Sequence, residues 1–171
     1  MAREVVYTGR KIRVAVDTFT APDGTTVRRD VIQHPGAVVI LPVLDAGHVV
    51  LLRNHRFVIG ETLWEVPAGT LEPGEPLQTC AERELSEETG YTAAKWRSLG
   101  FLYASPGVLD EKLHLFVAEE LTPGPANPEP GEQLHPVTVR LDEAIRMCLA
   151  GEIKDAKTIT SLLLWERMAR R

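Results

Sequence analysis

The chain contains 171 residues with a formal net charge of -5, and 44% of the residues are hydrophobic. This length can bury one good core, whereas a second full domain is not expected. The excess of acidic over basic residues argues against nucleic acid as a partner, and no apolar run approaches the roughly 20 residues of a membrane span.

β-Branched runs and turn sequences predict a strand-rich first half. Residues 12–18 and 26–34 flank a turn at residues 21–24 and are predicted to form a hairpin. A second hairpin is predicted from residues 37–43 and 48–53, and residues 63–66 should form a short strand.

The second half alternates strands, a long loop and helices. Residues 121–136 contain five prolines and two glycines and are expected to form a loop. The other predicted elements are strands at 96–103, 113–118 and 137–141 and helices at 142–150 and 155–169. Asp155 is placed to cap the last helix.

Residues 77–89 carry the strongest helix signal. Pro76 suits the beginning of a helix, Gly90 suits the position just after its end, and neither residue type occurs between them. One stripe of the helix is apolar and should face the core. The stripe consists of Leu77, Cys80, Ala81 and Leu85.

Three acidic residues of this helix, Glu84, Glu87 and Glu88, are spaced i, i+3 and i+4 and therefore share one face. A solvated charge run is the alternative, in which Arg83 pairs with Glu87 for about 0.3–0.5 kcal/mol. That pair leaves Glu84 and Glu88 as neighbouring like charges within the range of the apolar stripe. The spacing therefore favours a site for divalent cations, and Mg²⁺ commonly joins carboxylates to phosphate oxygens.

Residues 69–91 resemble the Nudix box. Its fixed positions are filled by Gly69, Glu75, Arg83, Glu84, Leu85, Glu87, Glu88 and Gly90. The resemblance implies a Nudix hydrolase with an α+β fold: an α/β/α sandwich with a mixed central sheet, flanking helices and an N-terminal antiparallel hairpin. It also implies Mg²⁺ as the cofactor, with Mn²⁺ as a substitute.

Flanking segments resemble the ADP-ribose pyrophosphatase branch of the family. These segments are residues 31–37, 64–69, 105–111 and 155–158. The resemblance implies hydrolysis of ADP-ribose, or a close ADP-sugar, to AMP and a sugar phosphate. Two alternatives remain open. One is another substrate, such as GDP-mannose, a dinucleoside polyphosphate or an oxidised nucleotide. The other is a non-catalytic nucleotide-sugar sensor, but the intact carboxylates count against it, because a sensor could lose them freely.

Metal-site roles follow from the resemblance. Ala68 would offer its backbone carbonyl and Glu84 and Glu88 their carboxylates to metal ions. Glu87 would bind metal or pair with Arg83, and both residues are assigned to the catalytic machinery. For Ala68, an ordinary turn carbonyl is the alternative.

The resemblance also implies a set of substrate-binding residues. They are Arg29, Asp30, Arg56, Ser105, Pro106, Gly107 and Glu111. Arg56 would grip a phosphate through its planar donor fork, although Asn54 and His55 before it depart from the Gln-Tyr of the branch. A surface arginine and a solvated Glu111 are the alternatives.

The catalytic base is expected on the loop before the final strand. Glu132 matches this position best, with Glu129 or a box glutamate as alternatives. An acidic residue on a proline-rich loop is otherwise simply solvated.

The N-terminal segment, residues 1–35, is expected to contribute to a homodimer interface and to substrate binding. Residues 36–171 are expected to form the Nudix domain. The apolar side chains of the N-terminal segment exceed what a two-stranded unit can bury, and in this branch such a segment exchanges between subunits. Arg29 and Asp30 point to opposite strand faces, so one of them would reach the partner's substrate; for Arg29, a polar strand face is the alternative. The lack of a signal-peptide apolar region and of metal-ligand cysteine spacing indicates a cytoplasmic protein.

Overall fold

The structure, a computed structural model, describes residues 1–128, 131 and 133–169. The described residues form ten strands and three helices in two sheets. The strands are β1 (Ala2–Thr8), β2 (Arg13–Thr20), β3 (Thr26–Gln33), β4 (Ala37–Asp45), β5 (His48–Arg56), β6 (Glu61–Glu65), β7 (Ala68–Thr70), β8 (Tyr91–Tyr103), β9 (Lys112–Pro123) and β10 (Leu134–Arg140). The helices are α1 (Leu77–Thr89), α2 (Leu141–Leu149) and α3 (Ala156–Ala169).

The N-terminal sheet has three antiparallel strands in the order β1-β2-β3. The predicted hairpin is present as β2–β3, and β1, which was not predicted as a strand, pairs along β2. All seven residues of β1 are exposed, so the sequence has no buried-face pattern from which this strand could be predicted. Arg3 fastens it to β2 by donating to both carboxylate oxygens of Asp17, at 2.6 and 2.7 Å.

The main sheet has the order β10-β5-β4-β9-β8, with β6 paired to β5 and β7 paired to β4. β4 and β9 are parallel and the other pairs are antiparallel, so the sheet is mixed. The first seven residues of β4 are buried, as expected for a central strand covered on both faces.

Alternate residues of β4 face two separate core clusters, since successive side chains of a strand point to opposite faces. Val38 and Ile40 pack against α1, whereas Val39 and Leu41 belong to the cluster that includes residues of α2 and α3. Helices therefore cover both faces of the sheet. This confirms the expected α/β/α sandwich.

The proline-rich loop is shorter than expected. β9 continues to Pro123, which pairs with Tyr91 of β8, and β10 already begins at Leu134. Pro136 lies within β10, at the edge of the sheet, where its missing N–H interrupts no inner ladder. Proline content therefore overestimated the loop at both ends.

Candidate functional site

Two flanking residues, Pro76 and Gly90, set the beginning and the end of helix α1. Pro76 precedes the helix in an extended conformation and accepts the N–H of Cys80 through its carbonyl. Gly90 follows the helix with φ of 76°, a left-handed conformation that glycine adopts without steric cost. Ala81 and Leu85 of α1 are fully buried against the sheet. Their burial fixes the rotation of the helix, so that its acidic face lies towards β7.

Two carboxylates of α1 lie against the short strand β7. Glu88 is 5% exposed, and its Oε2 accepts the backbone N–H of Ala68 at 2.9 Å. Glu84 lies over Gly69 so closely that a Cβ at that position would be 1.8 Å from its carboxyl carbon. The absence of a side chain on Gly69 therefore creates the space that the Glu84 carboxylate occupies.

Arg83 connects the carboxylates of the box. It donates to both oxygens of Glu75 at 3.0 and 3.1 Å, to Glu84 at 2.8 Å and to Glu87 at 3.1 Å. The bond from Arg83 lowers the pKa of Glu75 to about 2. The expected pair with Glu87 is present, but Arg83 also binds Glu84, so the repulsion within the cluster is smaller than the spacing alone suggested.

A cavity of about 930 Å³ lies beside α1 and β7. It brings together six of the residues expected to serve catalysis, metal binding or substrate binding, and these are Arg56, Ala68, Arg83, Glu84, Glu88 and Glu111. Cationic and anionic side chains therefore line the same cavity. A phosphate that is bound together with a metal ion needs both kinds of group.

The other candidate residues do not line this cavity within the described part of the chain. Arg29, Asp30, Glu87, Ser105, Pro106 and Gly107 lie outside its lining. Arg29 and Asp30 are exposed on β3. Glu132 and its alternative Glu129 fall outside the described residues.

Glu111 is anchored rather than solvated. Its side chain is 19% exposed, and its carboxylate lies 3.3 Å from Nδ1 of His34. The loop that carries it is joined to the end of β3, where Ile32 donates to the carbonyl of Val108 and accepts from Asp110. The N-terminal sheet therefore holds the loop that contains Ser105, Pro106 and Gly107.

Three cavity-lining residues, Arg56, Asp155 and Lys157, belong to one network with Glu65, to which the sequence analysis assigned no role. Arg56 donates to both oxygens of Glu65 at 2.8 and 2.5 Å, and Lys157 donates to Glu65 at 2.8 Å and to Asp155 at 2.9 Å. Asp155 also accepts the N–H of Thr158 and so caps α3, as predicted. The segments 64–69 and 155–158 were recognised as motifs, but their mutual contact joins residues far apart in the chain.

The oxygen donors beside α1 fit an open Mg²⁺ site better than a site in which protein side chains supply all the ligands. Among the described residues, no three His, Cys, Asp or Glu side chains are grouped closely enough to hold a metal ion by themselves. Mg²⁺ typically takes one or two carboxylates and completes its coordination with water and substrate phosphates. The carboxylates of Glu84 and Glu88 lie beside Gly69 and Ala68, which fits an open arrangement of this kind.

Helix α1 carries the carboxylates and packs on the mixed sheet of an α/β/α protein, and comparison with known proteins identifies the family. The family model described as NUDIX domain matches residues 33–162. The chain belongs to the Nudix family, which confirms the assignment from the box. In the described residues no helix has the length and hydropathy needed to cross a membrane.

Two bacterial relatives are similar over nearly the whole chain. ADP-ribose pyrophosphatase of Bacillus subtilis is 38% identical over 160 residues, which cover 92% of this chain and 86% of the relative. ADP-ribose pyrophosphatase of Mycobacterium tuberculosis is 34% identical over 167 residues, covering 95% and 80%. A crystal structure of an ADP compounds hydrolase superposes with a TM-score of 0.87 at 22% identity, covering 99% of this chain and 92% of that one, which confirms the fold.

Proposed function

We propose that this protein hydrolyses the diphosphate bond of ADP-ribose, or of a related ADP-sugar, to AMP and a sugar phosphate in a Mg²⁺-dependent reaction. The observation that carries the proposal is the shared cavity, in which Glu84 and Glu88 lie near Ala68 while Arg56 lies in the same wall. The similarity to two ADP-ribose pyrophosphatases supports this substrate.

The metal-binding residues would be Ala68, Glu84 and Glu88, with Glu87 adjoining them. Mg²⁺ bound there, or Mn²⁺ in its place, would neutralise the diphosphate and activate water. The chain's own contribution is to hold the carboxylates in place. Glu88 is held by the N–H of Ala68, and Glu84 is held between Gly69 and Arg83.

Arg83 would act through the carboxylates and not as a phosphate ligand. Its guanidinium donates to Glu75, Glu84 and Glu87, so it fixes their orientation and reduces their mutual repulsion. Glu84 and Glu87 would hold metal ions through their carboxylates, while Arg83 would remain anchored by its two bonds to Glu75.

Arg56 would bind the diphosphate of the substrate, and Glu111 would face the metal cluster or the terminal ribose. The guanidinium fork suits two phosphate oxygens at once. Ser105, Pro106 and Gly107 would shape the loop over the substrate, with Glu111 at its base held by His34. Glu132 would act as the catalytic base on the neighbouring loop.

The protein would act as a homodimer in the cytoplasm, with residues 1–35 as the exchanged element and residues 36–171 as the Nudix domain. Val5, Val6 and Tyr7 of β1 are 50%, 54% and 57% exposed, and a partner subunit would cover such an apolar strand. Arg29 or Asp30 would then contact the partner's substrate. Light scattering should give twice the monomer mass, and a monomer at assay concentration would contradict this part of the proposal.

Hydrolysis of a nucleotide panel with Mg²⁺ tests the function. ADP-ribose should yield AMP and ribose 5-phosphate, and it should be preferred over GDP-mannose, dinucleoside polyphosphates and oxidised nucleotides. Preference for one of these would replace ADP-ribose as the substrate, and inactivity on all of them would contradict an enzymatic function.

The variant Glu88→Gln tests the metal site within this assay. Removing the charge of a metal ligand should lower kcat/KM at least about 100-fold, since such ligands contribute several kcal/mol to transition-state stabilisation. Glu82→Gln is the matched control, because Glu82 is exposed on the same helix and bonds only to Gln78 among the contacts in the described residues. An unchanged rate in Glu88→Gln would remove Glu88 from the mechanism.

A further inference from the structure

Glu65 is a buried carboxylate at the end of β6 to which the proposed reaction gives no role. Three acidic side chains are buried among the described residues, and the other two are Asp17 and Glu88. Asp17 binds Arg3 in the N-terminal sheet, and Glu88 belongs to the metal site. Glu65 is 1% exposed, and a carboxylate so far from water is costly unless cations compensate it.

The compensation comes from two residues that line the cavity, Arg56 and Lys157. Arg56 approaches Glu65 with Nε and Nη2 in a parallel pair of hydrogen bonds, and Lys157 donates to the same carboxylate. Burial raises the pKa of Glu65, but the bonds from Arg56 and Lys157 outweigh it, so the pKa lies below its ordinary value. Glu65 is therefore a buried anion that does not line the cavity itself, and the side chains of Arg56 and Lys157 lie between it and the cavity.

The geometry of Arg56 leaves donors available for a ligand. A guanidinium has five N–H groups in a fixed fork, and the pair with Glu65 uses one on Nε and one on Nη2. Three N–H groups remain, including both on Nη1, and 45% of the side chain is exposed. The parallel pair fixes the plane of the guanidinium, so the remaining donors keep one direction without ordering cost on binding.

We infer that Glu65 is a positioning residue that aligns Arg56, with Lys157 beside it, for the diphosphate of the substrate. This inference rests on the proposed function of the cavity. The alternative is a purely structural clamp that joins the beginning of α3 to β6. The two roles differ in outcome, because a clamp affects unfolding alone, whereas alignment affects the affinity for a diphosphate.

The test is the affinity for inorganic pyrophosphate with Mg²⁺, measured by calorimetry on the full chain. Glu65→Gln replaces one acceptor oxygen by an NH₂ donor that faces the donors of Arg56, so Kd should rise about tenfold, equivalent to about 1.4 kcal/mol. The matched control is Glu61→Gln on the same strand. Glu61 forms an exposed pair with Lys154 at 2.8 Å, and its loss should leave Kd unchanged.

A double-mutant cycle distinguishes alignment from a general disturbance. In an Arg56→Met background, Glu65→Gln should add little to the loss of affinity, because the residue through which it acts is gone. With ADP-ribose, Glu65→Gln should raise KM about tenfold and change kcat less, as expected when ground state and transition state lose the same contact. If Glu65→Gln does not fold, Glu65→Asp keeps the buried charge, withdraws it by one methylene and should still weaken binding.

The outcomes separate this inference from the proposed function. A lower melting temperature with unchanged Kd and KM would show a clamp and overturn the inference, as would equal losses with and without Arg56. A wild-type protein that binds no pyrophosphate also overturns it. If pyrophosphate binding depends on Glu65 while ADP-ribose is not hydrolysed, the inference stands and the proposed function fails.

Discussion

The contact between Gly69 and Glu84 allows the proposed metal site to be disturbed with little effect on the fold. A Cβ at position 69 would lie 1.8 Å from both the carboxyl carbon and Oε1 of Glu84. Carbon atoms pack at about 3.5–4.0 Å, so in Gly69→Ala the carboxylate must move by roughly 2 Å. The clash includes Cγ of Glu84 at 2.4 Å as well as the carboxylate, so the whole side chain must rotate away. Because no backbone atom is among the nearest clashing atoms, the stability should change by only about 1 kcal/mol.

The effect on catalysis should be much larger. Mg²⁺ binds oxygen at about 2.0–2.1 Å in near-ideal octahedral geometry, and a misplacement of about 1 Å can cost about 100-fold. Gly69→Ala should therefore lower kcat/KM for ADP-ribose by at least about 100-fold and weaken the apparent affinity for Mg²⁺.

Steady-state kinetics at several Mg²⁺ concentrations, combined with urea unfolding, check both parts of this prediction. Gly47→Ala in the β4–β5 turn is the control, because its added Cβ would be 3.7 Å from the nearest side-chain atom. Full activity of Gly69→Ala at limiting Mg²⁺ would refute the assignment of Glu84 as a metal ligand. A large loss of stability would refute the reasoning that Glu84 can yield.

Three further changes test the surroundings of the site. Glu75→Gln should cost about 1–2 kcal/mol of unfolding free energy at pH 7, because Arg83 lowers the pKa of Glu75 from 4.5 to about 2; in urea unfolding this cost should disappear as the pH falls from 4.5 towards 2, and a pH-independent cost would contradict it. Leu85→Ala should cost about 2–5 kcal/mol in the same assay, because Leu85 is fully buried beneath α1, and a smaller value would mean that the core closes around the gap. Burial raises the pKa of Cys80 to about 12, so a thiol reagent followed by mass spectrometry should label Cys80 only after unfolding, whereas rapid labelling of the native protein at neutral pH would contradict its burial.

Helix α1 could be predicted from the sequence to the residue because its signals are local. Pro76 and Gly90 mark its ends, and the spacing of Glu84 and Glu88 predicted that both face inwards. The central strand β4 could also be predicted, as residues 37–43, because its continuous apolar run is a local signal.

Strand β1 was missed because no local pattern defines it. Its seven residues are all exposed, and it exists through pairing with β2 and the bond from Arg3 to Asp17. Sequence periodicity reports which face is buried, so a strand without a buried face gives no signal.

The role of Glu65 could not be predicted for a different reason. Its partner Lys157 lies 92 positions further along the chain, and only the docking of α3 against β6 brings the two together. Residue spacing identifies groups within one element, as it did for Glu84 and Glu88. It gives no information about which elements meet.

The parallel pairing of β4 with β9 has a consequence for biosynthesis. Ala37 pairs with Leu113, so α1 and four strands lie within the loop that this contact closes, and closing long loops slows folding. A ribosome-bound chain that ends before residue 113 leaves one edge of β4 without its permanent neighbour. We expect the nascent protein to expose this apolar strand until β9 has emerged, so the acidic cluster gains its final geometry late in synthesis.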